Sequence, residues 1–186
     1  RQMCIRDSYR SMTIFLIITA CLCYAASVWA LATRIMLGPV LSYVGLVILS
    51  LTSRNGYPLL PVNGTILTGW FCMTLVVSVI IMLQPEPVRR QTRGMGYMIV
   101  GAVTGLAVGL LAFSASQNLT MLYSFMILAV IAGIFFGLLL YSRTPDGRPL
   151  AVGSQNFFRY LLAKGFPVAI TMMQIGVAAV LTIAVY

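Results

Sequence analysis

There is no histidine in this sequence, and the only carboxylates are Asp7, Glu86 and Asp146. The first absence removes imidazole haem ligation, histidine-based zinc sites and acid–base schemes built on imidazole. The second removes paired-carboxylate catalysis, and all three acids fall outside the apolar runs, so an intramembrane carboxylate relay has no material either. Charge of any kind is scarce, at 8% of 186 residues, where soluble domains carry roughly a quarter. Lys164 is the only lysine. No enzyme is expected from this inventory, and no metal or cofactor.

What is present is apolar. The hydrophobic set makes up 60% of the chain and the mean hydropathy is +0.98. Six spans of about 20 residues need about 120 residues, which fit here with short connections and leave no room for a second domain. The expected fold is an all-α polytopic membrane protein, a six-helix transmembrane bundle, with five spans plus a re-entrant second segment as the alternative. The net charge of +9 does not read as a nucleic-acid surface, because the basic residues are spread over short connections. Their expected roles are orienting the chain and touching anionic headgroups.

The segment 1–11 (RQMCIRDSYRS) is polar and charged, ends abruptly, and reads as a non-native leader, with Met12 as the expected start of a single helical domain over 12–186. The spans are expected at about 12–32, 37–52, 65–83, 94–113, 119–141 and 167–186. Gln84-Pro85-Glu86-Pro87 cannot continue the third helix. The second segment is the short one, about 20 Å against a hydrocarbon core of about 30 Å. A signal peptide ending near Ala30-Leu31-Ala32 is the less favoured reading of the first run, because cleavage would put the arginine-rich connections on the wrong side. The first run is therefore expected to be retained.

Orientation follows from the guanidinium groups. Arg89, Arg90 and Arg93 lie in the connection 84–94, and Arg143, Arg148, Arg159 and Lys164 in 142–166, whereas Ser114–Asn118 carries no charge. The first two connections are expected on the cytoplasmic side of a bacterial inner membrane, with Arg34 beside them, Arg54 opposite and the C-terminus outside. If Arg1, Arg6 and Arg10 are native they favour an inside N-terminus and the five-span scheme. Trp29 and Trp70 near segment ends suit interfacial belts in both schemes.

The most informative pattern is small residues spaced by four: Gly101, Gly105 and Gly109 in the fourth segment, Ala129, Gly133 and Gly137 in the fifth. Each trio lines one helix face. Lipid gives helices no hydrophobic reason to associate, so close backbone approach must supply it. With the short Ser114–Asn118 linker this predicts a tight antiparallel hairpin. Homodimerisation through the same face is the competing use.

Between the last two spans, Pro145-Asp146-Gly147 reads as a turn. Residues 155–164 then read as a short helix in the cytoplasmic interface, capped by Ser154. At about 100° per residue Phe157, Phe158, Leu161 and Leu162 share an arc of about 140°, with Arg159, Tyr160 and Lys164 opposite. Gly165 and Pro167 are expected to bend the chain into the last span. Gln174 is the expected intramembrane polar contact, with Thr171, Thr104 and Ser78 as candidate partners. Cys21 and Cys23 point to different helix faces and read as small hydrophobes.

Three spans on either side of the arginine-rich connection enter the membrane in opposite senses, the geometry of an inverted repeat. No residue pattern identifies a characterised family. The expected function is a small transporter-like or permease-like bundle without catalytic chemistry; a structural or accessory subunit of a larger membrane complex is the alternative. Expected partners are the bilayer and a further copy or complex subunit, not nucleic acid.

Overall fold

The structure, a computed structural model, describes residues 2–33, 37–54, 57–58, 64–84, 93–113, 119–150 and 154–184. Nearly all of these residues are helical. The elements are α1 (Gln2–Thr33), α2 (Leu37–Leu51), α3 (Gly64–Leu83), α4 (Met95–Phe113), α5 (Leu119–Ser142), a 3-10 stretch (Pro145–Leu150), α6 (Gln155–Tyr160), a π-helical turn (Leu161–Gly165) and α7 (Phe166–Ala184). A two-residue antiparallel pairing, Ser53–Arg54 with Tyr57–Pro58, closes the turn after α2.

Four helical runs are long and apolar enough to cross a membrane: Met12–Thr33, Gly64–Leu83, Tyr123–Ser142 and Gln155–Val180. Leu37–Leu51 and Met95–Leu111 are apolar but shorter. At 15 residues α2 reaches only about 22 Å, which is less than a hydrocarbon core. The surface supports a lipid setting, since large apolar side chains point outward all round: Trp29 is 74% exposed, Phe15 68% and Leu83 79%.

Two helical stretches run past the expected segment limits. The helix α1 runs unbroken from Gln2 across Met12. More consequentially, the chain does not bend at Gly165 and Pro167. Leu161 and Phe166 both keep right-handed helical angles, so α6, the π turn and α7 form one continuous rod. The expected separate interfacial helix 155–164 is the first part of that rod. Of the expected connection 84–94 only Gln84, Arg93 and Gly94 are described, and Ser114–Asn118 lies outside the described residues.

Two hairpins flank α7. In the first, Gly38 of α2 packs on Leu31 and Gly45 on Tyr24 of α1, an antiparallel progression. In the second, Gly101 lies on Gly133 and Gly109 on Met126, again antiparallel. The helix α7 touches α1, α2, α3, α4 and α5. The two three-helix halves are unequal at their third members: 67% of the apolar window of the α6–α7 rod is buried, against 17% in α3. The core is aliphatic and methionine-rich, with Leu46, Met98, Met126, Leu138 and Met172 among its enclosed side chains.

Candidate functional site

The structure brings both small-residue trios together. A Cβ at Gly101 would strike the Gly133 carbonyl and stand 3.3 Å from the Gly137 Cα. At Gly105 it would strike the Ala129 carbonyl, at Gly109 it would stand 2.9 Å from the Met126 Cα, and at Gly137 it would strike the Tyr97 carbonyl. In each case the obstacle is main chain, which cannot rotate away as a side chain can. Spacing of four allows this, because it keeps the small residues on one face over about two turns. Close approach then replaces missing hydrophobic drive with dispersion between backbones.

Gln174 sits in the centre of the bundle, fully buried. Its partners are not the expected Thr171, Thr104 and Ser78. Those three hydroxyls donate within their own helices, to the carbonyls of Pro167, Gly101 and Thr74 at 2.9, 2.9 and 2.8 Å. Instead Ser42 of α2 donates to Gln174 Oε1, while Gln174 Nε2 donates to Thr74 Oγ1 of α3 at 2.9 Å. Thr74 gives its hydrogen to the Trp70 carbonyl at 2.7 Å and accepts from the glutamine NH₂, while the Ser42 hydrogen is shared between Gln174 Oε1 and the Pro39 carbonyl at 3.0 Å. One glutamine thus ties α2, α3 and α7 at a buried point.

The second polar region surrounds the π turn. Pro167 has no N–H to give the carbonyl four residues earlier, which is that of Ala163. Gln84, just past the end of α3, supplies the missing donor: its Nε2 reaches the Ala163 carbonyl at 3.0 Å. That long-range bond, with the wider π turn, is why proline does not end the helix here. Ser154 caps the start of the rod as expected, its hydroxyl oxygen accepting from the Phe157 N–H at 3.2 Å. Tyr160 Oη donates to the Arg93 carbonyl at 2.5 Å, anchoring the rod to the start of α4.

The helical-wheel assignment of 155–164 needs correction. Phe157 is buried and meets Phe135 edge-on at 5.8 Å, but Phe158 and Leu162 are 55% and 69% exposed. Leu161 is half-buried. On the supposed polar side Arg159 is exposed, whereas Tyr160 and Lys164 are buried, and Lys164 is completely enclosed. The inward stripe is Phe157, Tyr160, Ala163 and Lys164. A membrane-surface helix would turn its apolar side to lipid and its cation to water; this rod does the reverse with Lys164 because it is packed inside the bundle.

Sequence reasoning missed Ser42, Thr74 and Gln84. A signal existed for the last: proline inside an apolar run frees a carbonyl, so a donor elsewhere is required, and side-chain amides are few. Among the described residues no three His, Cys, Asp or Glu side chains gather, and Cys21, Cys23 and Cys72 are free thiols. No protein-family model matches the chain, and comparison with curated proteins and with solved structures gives no match.

Proposed function

We propose that this chain is a small multi-pass bundle of an inner membrane, transporter-like or permease-like in build, that handles a solute without covalent chemistry. The observation that carries the reading is Lys164, a cation enclosed in the central rod at a π turn. Ionisable side chains at membrane depth are costly and mark solute or ion paths. π turns cluster at functional positions. The six-span scheme goes with this reading: α2 crosses with its ends drawn inward, the connections 84–94 and 142–154 face the cytoplasm, the rod enters the membrane from that side, and the C-terminus lies outside. The facing trios act as a glycine zipper that keeps α4 and α5 rigid while the rod and α3 carry the polar contacts.

The test is uptake by proteoliposomes against a panel of small anions, cations and neutral metabolites. The expected result is uptake of at least one solute, abolished by Lys164→Met and partly kept by Lys164→Arg. No uptake or binding across the panel, or an unaffected Lys164→Met variant, overturns the proposal. A second reading, an accessory subunit of a membrane complex, is favoured by the low burial of α3 and predicts a partner that co-purifies in mild detergent.

A further inference from the structure

The α4–α5 hairpin carries a groove on its outward side, about 740 Å³ in volume. Its walls are Val100 and Val108 on α4 and Phe136 and Leu140 on α5, which are 63%, 62%, 61% and 57% exposed. Two hydroxyl-bearing residues line it: Thr104 already donates to the Gly101 carbonyl at 2.9 Å and has no hydrogen left to offer an occupant, and Tyr97 stands at the end where α4 and α5 meet Tyr141. From Gly96 to Val108 the groove extends about 18 Å at 1.5 Å per residue. One leaflet of hydrocarbon is about 15 Å deep, half of about 30 Å.

One end of the groove is positively charged. Arg93 lies in the turn just before α4, three residues ahead of Gly96, and Arg143 follows Leu140 by three, prolonging the wall spacing of 136 and 140. Both arginines are exposed. The two helix ends meet there, since the Tyr97 and Tyr141 rings lie 5.5 Å apart and Gly94 abuts Tyr141. The Arg143 N–H donates to the Leu140 carbonyl at 3.2 Å and the Arg93 carbonyl accepts from Tyr160, so both backbones are held. The exposed Asp146 is the one described acid beyond α5 on this side, leaving the end net positive.

We propose that this groove is a binding site for an anionic phospholipid: one acyl chain lies between α4 and α5, and the phosphate rests between Arg93 and Arg143. A headgroup charge, a one-leaflet depth and a dry floor are what such a molecule matches. Cytoplasmic-side basic sites between helices favour anionic headgroups for the same reason.

The experiment is native mass spectrometry of the full chain in detergent with equimolar phosphatidylglycerol and phosphatidylcholine of identical chains. Wild type should retain phosphatidylglycerol preferentially. Each guanidinium near a membrane surface contributes about fivefold in affinity, so the double variant Arg93→Gln/Arg143→Gln should lose about 25-fold for phosphatidylglycerol and leave phosphatidylcholine unchanged. A Cβ at Gly96 meets nothing within 4 Å, so Gly96→Phe should fill the groove mouth without disturbing the hairpin and expel both lipids. Equal retention of the two lipids by wild type, unchanged phosphatidylglycerol binding in the double arginine variant, or a lipid-free dimer closed through this face would each overturn the proposal.

Discussion

Replacing Gly133 by alanine adds one methyl group where α4 and α5 touch. The new Cβ would stand 2.8 Å from the Gly101 carbonyl carbon, closer still to its oxygen, and 3.3 Å from the Gly105 Cα. Carbon contacts are comfortable from about 3.5 Å, so the helices must part by about 1 Å. A gap of that size forfeits about a quarter to a half of each contact's attraction along the seam. Overpacking in a close-packed interior costs about 1–3 kcal/mol, and with main chain on both sides the upper half of that range applies. Gly69→Ala is the control, because a Cβ there meets nothing within 4 Å and α3 gains up to about 1 kcal/mol of helix propensity. The two variants should therefore differ by about 3 kcal/mol, more than a hundredfold in the folding equilibrium. Reversible unfolding by dodecyl sulfate in mixed micelles, followed by far-ultraviolet circular dichroism, measures both. If Gly133→Ala proves as stable as wild type, or the two variants shift equally, backbone contact does not hold this hairpin.

Gln84→Ala leaves the Ala163 carbonyl without its donor and should cost about 1–2 kcal/mol in the same titration. In a Pro167→Ala background position 167 regains an N–H, and the penalty for Gln84→Ala should shrink; undiminished cost there means the bond is not a substitute for the missing backbone donor. Gln174→Leu should destabilise by only about 1 kcal/mol, since Ser42 and Thr74 keep the carbonyls of Pro39 and Trp70 as acceptors. Gly94→Ala forces a left-handed φ of +86° on a side chain pressed against Tyr141, with a cost of at least about 1–2 kcal/mol.

The sequence discloses where helices lie far better than how they are turned. Apolar runs bounded by proline, arginine and polar clusters place α3, α4 and α5 within a residue or so of Gly64–Leu83, Met95–Phe113 and Leu119–Ser142. The small-residue spacing is equally visible, because absence of a side chain is a property of one residue type at one position. Rotation about the axis is not visible when a helix is apolar on every side. Gln174 therefore gave no hint that it would face Ser42 and Thr74, and the wheel drawn for 155–164 assigned Lys164 to water when the rod is embedded. Pro167 misled for another reason: a local rule says that proline stops a helix, and the bond that annuls the rule comes from Gln84, 79 residues upstream of its acceptor.

Two long-range polar ties from α3 and its end land on the last helical rod, Thr74 on Gln174 and Gln84 on Ala163, across 100 and 79 residues of chain. During synthesis at about 5–20 residues per second, these groups wait on the order of 5–20 s before their counterparts leave the ribosome. The hairpin of α4 and α5 can close in that interval without them. Biogenesis of this protein thus has a built-in order, in which the third helix stays loosely docked and vulnerable to quality control until the final one slides in beside it.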